Sequence, residues 1–260
     1  MSTGNLELSI LLPAFLAGLL VLATHVPLGQ QVLNRGIVFI DLAIAQVAGL
    51  GVTAADAFGF EPEGWRVQVA AVGAALIGAL LLTWTEKMWP EVQEALIGVL
   101  FVVAASVELL ILANNPHGGE HLKDLLVGQI LWVSMKSLIP VAILYAAALA
   151  VWFGLRRWIG QPGFYVLFAL VVTQSVQLVG IYLVFASLIV PALAARRFAE
   201  GARLAVGYAV GLAGYIAGLI ASSLFDLPTG AVIVVSLLLT FMAAVIISLA
   251  APVRWRAVTA

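Results

Sequence analysis

The chain has 260 residues, 63% of them hydrophobic and only 10% charged, with a mean hydropathy of +1.14. A soluble domain carries about a quarter charged residues, so the composition excludes one and points to an integral membrane protein. A net charge of −1 with 12 scattered basic residues argues against a nucleic-acid partner, and the lack of cysteine excludes disulfides, thiolate metal sites and thiol nucleophiles.

A helix crossing the hydrocarbon core needs about 20 apolar residues. Taken in chain order, the apolar runs predict spans at 8–30, 36–58, 65–85, 92–113, 134–155, 203–224 and 228–251. The first has no basic region before it and no small-residue cleavage site after it, and reads as a retained span. The segment 161–196 is too long for one crossing and just long enough for two short ones. Its centre, "TQSVQLVG", is polar and holds a glycine, which predicts a broken helix pair. The expected fold is all-α and polytopic, with about eight or nine transmembrane helices in a single domain over residues 1–260.

Basic residues set the expected orientation. With the N-terminus outside and the C-terminus inside, Arg35, Lys87, Arg156, Arg157, Arg196, Arg197, Arg203, Arg254 and Arg256 fall inside. Only Arg66, Lys123 and Lys136 then fall outside, where the acidic stretches "DAFGFEPEGW" and "NNPHGGEHLKD" also lie. No phosphate-cradling GxxxxGK[ST] occurs, and no serine with a nearby histidine suggests an enzyme.

A charge at bilayer depth costs at least about 2.5 kcal/mol, which singles out Asp41 in "NRGIVFIDLAIAQVAGLG". It either lines a transport route, pairs with Arg35 or caps a neighbouring broken helix. Gln46, five residues on, lies about 140° around the helix and shares such a lining loosely. Glu108 near the outer end of the fourth span either joins the route or reaches the interface. Glu94 and Glu91, beside Glu86 and Lys87, read as a solvated face. Thr173, Gln174, Ser175 and Gln177 mark the bend of the broken pair. His117, Glu120 and His121 fall within five residues and offer imidazole and carboxylate donors suited to a borderline divalent ion, or form an ordinary polar loop. His25 reads as a structural cap or interface residue. Gly207, Gly211, Gly214 and Gly218 follow the small-xxx-small spacing of close helix packing.

Several of these stretches resemble one family. "LVGIYLVFASLIVPALAARRFA" (Leu178 to Ala199) closely resembles a stretch of the permease subunits of the zinc/manganese class of ABC importers. "FDLPTGAVIVV", "DLLVGQILWVS", "EALIGVLF" and the Arg35–Asp41 region resemble further segments of that family, in the same order along the chain. The resemblance implies a fold like the type II ABC importer permeases and a homodimer in the bacterial cytoplasmic membrane. It implies a cytoplasmic ATPase subunit, an extracytoplasmic metal-binding protein, surrounding lipid, and Zn²⁺ or Mn²⁺ as cargo with no permanently bound cofactor. Asp41 is then expected to line the route with Gln46, Glu108, Thr173, Gln174 and Gln177. Arg156, Arg157, Arg196 and Arg197 are expected to face the ATPase.

The chain departs from the family pattern at three places. Gln46 stands nearest the position of a family histidine, Val102 nearest that of a second, and only "RRWIGQPG" (156–163) remains of a longer stretch carrying a coupling helix. An uncoupled metal carrier, a membrane accessory protein and a permease for a chelated metal are the alternatives.

Overall fold

The computed structural model describes residues 8–61, 64–113 and 118–250, without the side chains of Leu8, Ser9, Glu120, His121, Asp124, Arg156, Arg157, Ile159 and Ala250. Among the described residues there is no strand, and the chain runs through nine helices: α1 (Leu8–Arg35), α2 (Ile40–Ala57), α3 (Trp65–Met88), α4 (Gln93–Leu112), α5 (Gly118–Val127), α6 (Met135–Val179), α7 (Ile181–Ala195), α8 (Glu200–Phe225) and α9 (Thr229–Ala250). Lipid leaves no water to satisfy backbone amides, so an apolar chain of this kind must bond them within helices.

Eight helical segments among the described residues are long and apolar enough to cross a membrane. They coincide with the predicted spans to within a few residues. The segment 161–196 resolves as expected into two pieces, Gly160–Val179 and the 15-residue α7. At about 1.5 Å per residue α7 is shorter than the roughly 30 Å hydrocarbon core. The break falls on Gly180, whose φ of 82° is open to glycine and strained for other residues. A second break, Gly160 at φ 59° and ψ −167°, divides α6.

The helices form two compact units. The first comprises residues 1–35, 127–145 and 178–260, with α1, α7, α8 and α9 packed on one another. The glycine stripe of α8 serves two neighbours. A Cβ on Gly207 or Gly211 would lie 2.7 Å from Val26 or 2.6 Å from Leu22 of α1, while one on Gly214 or Gly218 would lie 2.6 Å from Leu237 or 2.5 Å from Ile233 of α9. Helix association in lipid rests on such close backbone approach, because lipid tails are as apolar as leucine. Tyr215 packs over Gly18, and its hydroxyl meets Ser187 at 2.8 Å. The chain after α5 crosses the helix break directly, with Gly128 backed against Val179 and Gly180.

His25 is fully buried in this unit, and its Nδ1 lies 2.9 Å from the Val21 carbonyl and 3.1 Å from Thr24 Oγ1. It is not an interface residue.

The second unit comprises residues 36–126 and 146–177. Here α2 packs on both α3 and α4, and most of its residues are buried on all sides. Small residues make that possible: a Cβ on Gly51 would lie 2.7 Å from the Ala70 carbonyl of α3. A buried hydrogen-bond relay ties α3, α4 and the second half of α6 together. Thr85 Oγ1 donates to Gln93 Oε1 at 2.9 Å, and Gln93 Nε2 donates to the Leu82 carbonyl at 3.0 Å and to Tyr165 Oη at 3.5 Å.

Candidate functional site

The second unit holds most of the polar residues singled out in the sequence, and Asp41, Gln46, Glu94 and Glu108 among them lie where α2 packs on α4. Gly36, at φ 72°, turns the chain after α1 and lets α2 begin at Ile40 with Asp41 in its first turn. The α4 helix starts after a 3₁₀ turn at Pro90–Val92, which puts Glu94 in its own first turn. The two helices run parallel, so their first turns meet: Glu94 Oε1 accepts the Phe39 backbone N–H at 3.2 Å, two residues before Asp41.

Asp41 is fully buried. Neither Asp41 oxygen has a hydrogen-bond partner, nor does Glu94 Oε2. Buried polar groups are normally satisfied, and each exception needs an explanation. Glu94 is only half-buried, but it is not the solvated face its sequence neighbourhood suggests, because its helix start is folded against that of α2.

Further along the same pair of helices, a second cluster is arranged differently. Gln46 Nε2 donates to Glu108 Oε2, and Thr53 Oγ1 donates to Glu108 Oε1 at 2.9 Å. All three side chains are buried. Gln46 and Thr53 are seven residues apart, two helical turns, so they share the face of α2 turned toward α4. Between them Gly49 lies alongside, where a Cβ would stand 3.5 Å from Glu108 Oε1. Glu108 is turned inward against α2 rather than out toward the end of its span. Thr53 escaped the sequence reading, although its seven-residue spacing from Gln46 was a usable signal.

The structure therefore separates Asp41 from Gln46. Asp41 lies at the start of the α2–α4 contact, by the first turn of α4, whereas Gln46 reaches Glu108 farther along it.

The remaining candidates fall elsewhere. Thr173 is buried and Gln174 and Gln177 are half-buried on the last turns of α6; Thr173 Oγ1 and Gln177 Nε2 make no hydrogen bond, whereas Ser175 Oγ turns back onto the Val171 carbonyl at 2.8 Å. His117 lies outside the described residues. Glu120 and His121 belong to the α5 helix rather than to a glycine-rich loop, with their side chains outside the description. Among the described residues no group of three or more His, Asp or Glu stands close enough to hold a metal ion. Arg156 and Arg157 lie on α6 just before the Gly160 break, their side chains likewise undescribed. Arg196 and Arg197 are exposed at the end of α7, and Arg203 caps the following turn by donating to the Phe198 carbonyl at 3.2 Å.

Comparison with known proteins agrees with this architecture. A family model described as the ABC 3 transport family matches residues 7–160 and 154–248. The two matches overlap where α6 breaks at Gly160. The high-affinity zinc uptake system membrane protein ZnuB of Haemophilus influenzae is 26% identical over 247 residues, covering 87% of this chain and 93% of that one. The solved structure of PsaBC from Streptococcus pneumoniae in complex with Fab superposes with a TM-score of 0.72 over 92% of this chain and 91% of that one, at 20% identity, and shares the fold.

Proposed function

The chain belongs to the ABC 3 transport family, and we propose that it is the membrane permease of an importer for a divalent metal ion, Zn²⁺ or Mn²⁺. The cargo class is supported by the ZnuB relative, named for zinc uptake. The observation that carries the reading is Asp41: a carboxylate fully buried within a membrane-spanning helix, with both oxygens unbonded. A carboxylate buried in protein without a partner is expensive, and a passing divalent cation would supply the missing partner by exchanging water for carboxylate oxygen.

Transport runs by alternating access in a homodimer. The N-terminus lies outside and the C-terminus inside the bacterial cytoplasmic membrane, as the arginine distribution supports. The Gln46–Thr53–Glu108 cluster holds α2 against α4 and so fixes the wall on which Asp41 stands, while Thr173, Gln174 and Gln177 supply polar wall on α6. A separate ATPase subunit docks at the inner ends of the helices, against Arg156, Arg157 and the Arg196–Arg197 turn. An extracytoplasmic binding protein delivers the metal, and the basic-residue distribution of the sequence assigns the stretch with His117, Glu120 and His121 to the outer side.

One observation favours a second reading, an uncoupled carrier. The two spans within α6 meet at a single residue, Gly160, with no intervening helix, leaving little chain there for an ATPase to grip.

Total cell zinc and manganese in a host stripped of its own importers separates the two. Expressed with its ATPase, the chain raises one of these metals, and the rise vanishes with Asp41→Asn or when the ATPase loses its Walker lysine. A rise that survives ATPase loss makes it an uncoupled carrier, and no rise in either metal overturns the free-ion reading.

A further inference from the structure

In the first unit, a groove of about 340 Å³ runs between the C-terminal ends of α7 and α9. Spacings of three and four residues group Leu193, Arg196 and Arg197 at the end of α7, and Met242, Val245 and Ile246 on one face of α9. Apart from the two arginines the lining is apolar. Leu193, Met242 and Ile246 are exposed, and α9 is long and apolar enough to span the membrane, so the groove opens where acyl chains lie. Ile246 stands four residues before the end of α9, about 6 Å along its axis, which brings the charged end of the groove to the level of the lipid headgroups. Among the described residues neither Arg196 nor Arg197 has an acceptor for its guanidinium. The next basic residue, Arg203, is by contrast engaged by Glu200 at 3.8 Å and by the Phe198 carbonyl at 3.2 Å.

We infer that this groove binds an anionic phospholipid, its phosphate held by Arg196 and Arg197 and an acyl chain laid along Met242, Val245 and Ile246. The volume falls within the range of about 300–1,000 Å³ usual for small-molecule sites, which are likewise mostly apolar with a few placed polar groups. Guanidinium groups match phosphate oxygens in charge and in fork geometry, and basic pockets between membrane helices take anionic headgroups. Free phosphate would satisfy the arginines and leave the apolar part of the groove uncovered. A second copy of the chain packed here about a two-fold axis would present the same patch, and so bring two more arginines against the first two. A lipid with a net negative charge answers both halves of the groove at once. The inference depends on the membrane-spanning fold and not on the cargo. The ATPase proposed above would meet the Arg196–Arg197 turn from outside the bilayer, and the lipid meets it from within.

The test is lipid retention by the full chain in neutral detergent, read by native mass spectrometry during titration with dioleoyl phosphatidylglycerol or dioleoyl phosphatidylcholine. The wild-type chain is expected to retain one phosphatidylglycerol with an affinity about tenfold or more above that for phosphatidylcholine. Replacing both arginines, Arg196→Gln with Arg197→Gln, removes that preference. Val245→Trp fills the apolar end and lowers retention of both lipids, while the chain keeps its elution volume in size-exclusion chromatography. Lys87→Gln, an exposed cation at the end of α3, leaves the preference unchanged. Equal retention of the two lipids, or a preference that survives loss of both arginines, overturns the site. So does an equal loss in Lys87→Gln, which would make the attraction a diffuse surface charge. If Val245→Trp leaves lipid retention intact and instead changes the oligomeric state, the groove belongs to a second copy of the chain and the inference falls.

Discussion

Asp41 and Gln46 sit on one helix, five residues apart, and meet opposite fates. Asp41 is buried with nothing bonded to its carboxylate, two residues from where Glu94 accepts the Phe39 N–H. Gln46 and Thr53 share the carboxylate of Glu108, in a cluster where the donors and acceptor match. A satisfied buried network fixes one arrangement of two helices and rigidifies it. An unsatisfied one costs free energy in the same arrangement, and a protein keeps it where something else completes it. The same α2–α4 packing therefore carries a satisfied brace in its middle and an unsatisfied carboxylate at its start.

The contrast is broken most severely by exchanging the two kinds of loss. Asp41→Asn should abolish metal uptake, by more than the 10–100-fold that follows loss of an outer-shell group, while leaving the melting temperature equal or raised because a buried charge has gone. Cell metal content and the unfolding curve of the purified chain check the two halves. Glu108→Ala should do the reverse in stability. It strands the Gln46 amide and the Thr53 hydroxyl in a buried site, which costs about 1–3 kcal/mol each, and it should lower the midpoint of thermal unfolding by several degrees.

Smaller effects sharpen the picture. Gly180→Ala places a side chain at φ 82°, directly against Gly128. The left-handed conformation alone costs about 1–2 kcal/mol, and the clash adds to it, so the variant should show reduced folded yield by size-exclusion chromatography. Thr53→Val removes the Thr53 donor from Glu108 and should destabilise by about 1 kcal/mol, with metal uptake within about twofold of wild type, an effect readable in a double-mutant cycle with Glu108→Gln.

The helical spans were legible because a bilayer forces about 20 apolar residues per crossing, and this chain interrupts those runs with few charges. The break at Gly180 was legible for a related reason: the polar "TQSVQ" and a glycine interrupt an apolar run too long for one helix. The glycine stripe of α8 was readable as packing, though its division between α1 and α9 was not, because spacing gives a face and never the partner. The site was half legible. Asp41 declared itself by its cost, whereas Glu94 was hidden among Glu86, Lys87 and Glu91, whose company suggests a wet boundary. Only the parallel approach of two helix starts, a contact between residues 55 apart in sequence, shows Glu94 turned onto α2. Glu108 near a span's end looked interfacial for want of the same information.

The account's central claim is that the unbonded carboxylate at the start of α2 serves the cargo and the bonded one in its middle serves the fold. Metal uptake and melting temperature measured side by side for Asp41→Asn and Glu108→Gln test it most directly. The account predicts that Asp41→Asn loses uptake with its melting temperature intact, and that Glu108→Gln loses stability first and keeps uptake in the fraction that folds. Uptake preserved in Asp41→Asn, or lost in a fully folded Glu108→Gln, would contradict it.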